Sequence, residues 1–227
     1  MVVQAVTGIL NQVDGSSQFE SKNTKVICSV TGPIEPKARQ ELPTRLALEV
    51  IVRPARGIPN TREKLIEDKL RAVLTPLIVS YKYPRQLCQI TCQILEAGES
   101  EEEFSQRELS CCINAAFLAL IDAGIALHSM VSSVCLCIAK DTDELVIDPG
   151  DDDLRVSRSV HTLALELVKG GSVIQNVLLL DSVGDFTEEQ LFEILQNGEQ
   201  SCVELTKELR RIISDKISED IVRTHVA

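Results

Sequence analysis

The chain is 227 residues long, 44% apolar and 25% charged, with a formal charge of −11. That length can bury a sizeable core in a globular composition, which excludes a disordered tail. The acidic total excludes a protein that coats nucleic acid over its whole surface, because phosphate binding draws its affinity from clustered Lys and Arg.

Aromatic residues are 3% of the chain and Trp is absent, so Val, Ile, Leu and Ala supply the core and base-stacking platforms are scarce. Met-Val-Val-Gln-Ala-Val at the start lacks the charged and apolar regions of a secretory signal, and a soluble, intracellular chain is expected. In such a setting the eight cysteines are expected as small buried apolar residues rather than a disulfide framework or a metal site, since no Cys-x-x-Cys spacing occurs. His128, His161 and His225 are scattered, and each is expected in a structural role.

In chain order, Asp14-Gly15-Ser16-Ser17 reads as a turn, Lys25 to Val30 as a strand stopped at Gly32-Pro33, and Leu46 to Val52 as a more buried strand. Asn60 with Glu63 is a capping pair for a helix carrying Leu65, Ile66, Leu70, Val73, Leu74 and Leu77. Gln86 to Leu95 is a strand. An acidic run, Glu99 to Glu103, leads to Ser105, whose spacing to Glu108 predicts a second capping box. The apolar run from Cys111 to Leu127 is a buried helix rather than a membrane span, with Gly124 as its stop.

Strands follow at Met130 to Ala139, Glu144 to Ile147, Val156 to Val168 and Val173 to Asp181. Turns separate them at Asp141-Thr142-Asp143, in the acidic loop Asp148 to Asp153, and at Gly170-Gly171-Ser172. A long helix starts at Thr187, with Gln190 completing its cap and Asn197-Gly198 a possible brief break. The order predicts an α/β (α+β) fold of two βα-type halves with mixed sheets, a central helix and a long C-terminal helix, forming one domain over residues 1–227.

The pattern Ile-Asn-Ala-Ala…Ala-Leu…Asp-Ala-Gly-Ile, from Ile113 to Ile125, resembles the central helix of the RNase PH family of phosphorolytic exoribonucleases. Asp14-Gly15-Ser16-Ser17, Thr24-Lys25-Val26, Val30-x-Gly32-Pro33, Leu70-Arg71-Ala72-Val73 and Asp148-Pro149 extend the resemblance over most of the chain. Cys111 to Ala116 and Glu49 to Pro54 look most like the eukaryotic exosome ring subunits of that family. The resemblance implies an RNase PH-like fold and a hexameric ring of paired subunits around a central channel. As partners it implies other ring subunits, RNA-binding cap proteins, an associated exoribonuclease and RNA. It also implies a place in ribosomal RNA maturation and RNA turnover, in nucleus, nucleolus and cytoplasm.

The chemistry of an active member is interrupted at three points. Where the family carries a Gly-Thr-Arg turn for phosphate, this chain reads Glu103-Phe104-Ser105-Gln106-Arg107-Glu108-Leu109, and the family arginine falls on Leu109. Glu102, Glu103 and Glu108 stand there instead, and carboxylates repel the anion that a helix N-terminus would hold. Arg107 is two positions out of register and is expected as a surface arginine. The family's acidic pair, about six residues apart, falls on Leu154 and Val160, or after a one-residue shift on Asp153 and Ser159. A helix arginine of active members is replaced by Asp68.

The expectation is therefore a non-catalytic ring subunit without cofactor or metal. Arg53, Arg56, Lys69 and Arg71, with Arg62, are its candidate contacts to RNA phosphates. The alternative is an exoribonuclease, phosphorolytic or Mg-dependent, using Arg107, Asp151, Asp152 and Asp153. An unrelated Cys/His enzyme finds no support in the spacings.

Overall fold

The computed structural model describes residues 3–226 except Glu102 and Asp141; of the side chains beyond Ser218 only that of Ile221 is described. The acidic guard at Glu102, the first residue of the Asp141-Thr142-Asp143 turn and the His225 side chain lie outside the described residues.

The first half opens with a meander of β1 (Val3–Thr7), β2 (Gly15–Ser21) and β3 (Thr24–Ile34), followed by β4 (Ala47–Arg53), α1 (Thr61–Leu77) and β5 (Leu87–Glu96). These strands form one sheet in the order β1-β2-β3-β5-β4, antiparallel except for the β4–β5 pair. That parallel pair requires a crossover, and α1 is the crossover. The second half contains α2 (Gln106–Asp122), β6 (Met130–Ala139), β7 (Leu145–Ile147), α3 (Asp151–Arg155), β8 (Ser157–Val168), β9 (Val173–Gly184) and α4 (Glu188–Val226). Its strands form an antiparallel sheet in the order β7-β6-β8-β9.

Helix α2 is the centre of the molecule. Gln106 through Leu120 are all buried, so the expected buried helix is enclosed all round by β2, β3 and the second sheet, and its burial begins ahead of the apolar run, at Gln106. The polar Asn114 survives there because its Nδ2 donates to Ser133 O at 2.8 Å and its Oδ1 accepts from Ser133 N at 2.9 Å. One continuous cluster of buried apolar residues runs from Phe19 and Val26 through α2 to Leu165 and Leu209 on the far side.

Several boundaries differ from expectation. Gly15, Ser16 and Ser17 belong to β2 rather than to a turn. Gly15 is there for packing, since a Cβ on it would lie 2.3 Å from Ala123 N and 2.4 Å from Ala119 O. Gly198 does not break α4; a Cβ on it would meet Leu163 Cδ2 at 2.5 Å, so this glycine admits the helix onto β8. Part of the acidic loop forms the short helix α3, and β1 is a strand the sequence pattern left unmarked. All eight cysteines are buried and free, as expected of small apolar side chains.

Candidate functional site

The N-terminus of α2 is the place where a bound anion would sit, because the first amides of a helix have no partner inside it. Two of those amides are taken by the chain's own carboxylate. Glu99 accepts from Glu108 N at 3.0 Å through Oε1 and from Arg107 N at 3.3 Å through Oε2. Ser105 holds the N-cap position but makes no side-chain cap bond, which corrects the predicted Ser105 and Glu108 capping box. The box fails because Glu108 turns inward; it is fully buried and cannot reach back over the helix end.

Arg62, projecting from the first turn of α1, bridges to this end of α2. Its Nη2 lies 2.6 Å from Glu108 Oε2 and donates to Phe104 O at 2.6 Å, while its Nη1 reaches Glu63 Oε1 at 3.2 Å. Burial works against the guanidinium charge, but the Glu108 and Glu63 contacts more than offset it and hold Arg62 above its ordinary value. Burial also pushes both carboxyls up, Glu99 to about 6 and Glu108 to about 8. For Glu108 the attraction of Arg62 is outweighed by that burial, to which the Glu99 and Glu101 charges add. The two ends of this contact thus move in directions that a simple ion pair would not show. Burial dominates at Glu108 because Arg62, though 2.6 Å from Oε2, directs that nitrogen at Phe104 O and neither Glu108 oxygen has an aligned hydrogen bond.

Arg107 is not the expected surface arginine. It is 1% exposed, donating from Nη1 to Gly98 O at 3.0 Å and from Nη2 to Ser21 O at 2.9 Å, with Asp148 Oδ1 3.9 Å away. Asp148 is fixed in turn by the Ser21 hydroxyl, which donates to its Oδ2 at 2.8 Å. A guanidinium fastened to two carbonyls is a strut between β2 and α2 and is not free to swing toward an anion.

The acidic loop is likewise engaged locally. Asp153 Oδ2 accepts from Gly150 N at 2.8 Å, and Asp151 Oδ2 pairs with Arg155 at 2.9 Å. Leu154 and Val160, where the family acids would fall, are buried apolar residues, and Ser159 faces His161. Among the described residues no group of His, Cys, Asp and Glu is arranged to hold a metal ion. His161 is buried between Ser159 Oγ at 2.9 Å and Ser182 Oγ at 2.8 Å, and burial lowers its pKa to about 4, as suits a satisfied core histidine.

The five basic candidates divide into two kinds. Arg53, at the end of β4, and Arg56, on the segment after it, are exposed and pair with no acid among the described residues. Arg53 borders an open cleft of about 650 Å³ shared with Ile51, Ile58, Lys64 and Gln93. Arg62 is committed to Glu108, Lys69 to Asp181 at 2.5 Å, and the half-exposed Arg71 to Asp68 at 3.0 Å. Sequence reasoning missed Glu99, the residue that defines the helix end, because the only trace of it is an acidic run several residues upstream.

Fold and sequence together define the class. Residues 2–126 match the first domain of the 3′ exoribonuclease family (RNase PH), and residues 129–201 match its second domain. The chain belongs to this family. It is 69% identical, over 98% of its own length and 100% of the relative, to the exosome complex component RRP46 of Saccharomyces cerevisiae. It is 30% identical, over 93% of its length and 89% of the relative, to the exosome complex component rrp46 of Schizosaccharomyces pombe. A crystal structure of rice Rrp46 superposes with a TM-score of 0.81 at 21% identity, each chain covered to 92%, which shows the shared fold.

Proposed function

We propose that the chain is a non-catalytic structural subunit of an RNA exosome ring, supporting 3′-to-5′ RNA processing and degradation by organising the complex and helping to line its RNA channel. The observation that carries this reading is the occupied helix end: the Glu99 carboxylate uses the amides of Arg107 and Glu108 that would otherwise receive phosphate. The apolar Leu154 and Val160 at the acidic positions support it independently. The 69% identity to a named exosome component supports membership of such a complex.

A ring subunit needs adhesive surface on its flanks. Val173, Val177 and Val183 expose apolar surface along β9, which is the terminal strand of its sheet and offers an unpaired edge. On this reading neighbouring ring subunits cover it, and cap proteins and an associated exoribonuclease dock on the assembled ring. The complex works in nucleus, nucleolus and cytoplasm. Arg53 and Arg56 are the exposed basic residues toward RNA phosphates, with the half-exposed Arg71 of α1 a further contact, while Arg62 and Lys69 serve mainly to hold α1 in place. The whole chain acts as one domain, which the continuous core across both sheets supports.

RNA decay by the purified chain, alone and with co-purifying partners, with and without phosphate and Mg, tests the reading. No decay from the chain alone, together with its capture in a multi-subunit complex, is expected. Partner-free decay that needs phosphate or metal and disappears in Asp153→Asn overturns it.

A further inference from the structure

Six ionisable side chains meet in the interior where α1, α2 and the segment between β5 and α2 converge. Glu63, Glu99, Arg107, Glu108 and Asp148 are each at most 7% exposed, and the Arg62 side chain is 18% exposed. Four carboxyls against two guanidiniums leave two negative charges in excess, in a place where an uncompensated charge is costly. The excess does not fall evenly. Glu63 takes the Asn60 N–H on one oxygen and Arg62 on the other. Glu99 has a backbone N–H on each oxygen, and Asp148 has the Ser21 hydroxyl and faces Arg107. Glu108 alone has no hydrogen bond of good geometry on either oxygen: nothing reaches Oε1, and the Arg62 nitrogen near Oε2 is aligned on Phe104 O instead.

We propose that Glu108 is held as the neutral acid in the folded chain, and that this stored proton relieves the excess of carboxyls over guanidiniums in one closed interior. The groups facing it agree. On α1, Glu63 takes part of the Arg62 charge, and on the segment before α2, Glu99 and Glu101 add negative potential. On α2 itself, Cys112 is kept as a neutral thiol by its contact with Cys92 of β5 and by burial. Arg62 is the charge that opposes the proton. Burial, first among the causes, pushes Glu108 to about 8 against about 6 for Glu99, so Glu108 is the last of this pair to ionise.

The linkage has a definite sign. The folded chain holds a proton that the unfolded chain, with an ordinary value of 4.5, gives up, so this group's contribution is fully present below 4.5 and is lost as pH rises through about 8. Stability carried by this group therefore falls across the range from 4.5 to about 8, above the range in which ordinary carboxylates titrate.

Glu108→Gln keeps the shape and removes the titration; Glu189→Gln, on the exposed start of α4, is the control. The difference in thermal midpoint between Glu108→Gln and the unaltered chain is expected to move in favour of the variant by about 3 °C or more between roughly pH 5 and pH 8.5. In the infrared spectrum of the unaltered chain at neutral pH, the C=O stretch of a protonated carboxyl is expected, and it is absent from Glu108→Gln. A difference that stays flat or moves against the variant as pH rises, or a spectrum without that stretch, overturns the proposal.

Discussion

The N-termini of α1 and α2 are built from similar sequence and solved in opposite ways. At α1, Asn60 and Glu63 close a local capping box: Arg62 N donates to Asn60 Oδ1 at 2.7 Å and Asn60 N to Glu63 Oε2 at 2.7 Å. At α2, Ser105 and Glu108 have the same spacing, yet the cap comes from Glu99, upstream across a loop. The difference lies in burial. At the first end the N-cap Asn60 is exposed and only Glu63 is buried, so the helix serves itself, whereas the second end is enclosed, and its polar groups are satisfied by whatever the tertiary structure brings to them. Where the resemblance implies a phosphate-binding turn, this chain places its own carboxylate on the helix amides.

Truncations at the enclosed end should be the most damaging. Arg107→Ala strands the Gly98 and Ser21 carbonyls and leaves Asp148 without its buried cation, and we expect a loss of about 3–5 kcal/mol in denaturant unfolding. A loss under about 1 kcal/mol would mean that Arg107 is not the strut described. Glu99→Ala comes next, at about 1–3 kcal/mol, because the exposed-to-nothing amides of Arg107 and Glu108 cost more than the relief of one buried carboxyl returns. Hydrogen exchange should show the first turn of α2 opening in that variant while α1 is unchanged.

Much of the fold was legible from pattern alone. Met130 to Ala139 is the strand expected, and β8 and β5 agree within a residue at each end, since long runs of β-branched and apolar residues leave little choice. Gly15 and Gly198 were misread because a glycine needed for close packing looks, in one dimension, like a glycine needed for a turn. At the site, the resemblance puts the family arginine on Leu109 and the acids on Leu154 and Val160 or, one residue earlier, on Asp153 and Ser159; Leu109, Leu154 and Val160 are core residues. What could not be read was the destination of the remaining charges. A charged residue is ordinarily exposed, so Arg107, Glu108 and Lys69 carry no local sign that they end on Ser21, Arg62 and Asp181.

The smallest effects discriminate best between the two helix ends. Asn60→Ala removes a bond that α1 uses, and should cost about 1 kcal/mol, as a surface N-cap typically does. Ser105→Ala removes a side chain that occupies the cap position, with φ −147° and ψ 0°, and makes no cap bond. Its expected cost is within about 0.5 kcal/mol, because Glu99 already satisfies the amides that a serine would serve. If Ser105→Ala proved as costly as Asn60→Ala, the serine hydroxyl would have to be capping α2 in solution, and Glu99 would be freed from the amides. The helix end would then be available to an anion after all, so this small measurement bears directly on whether the chain can hold phosphate.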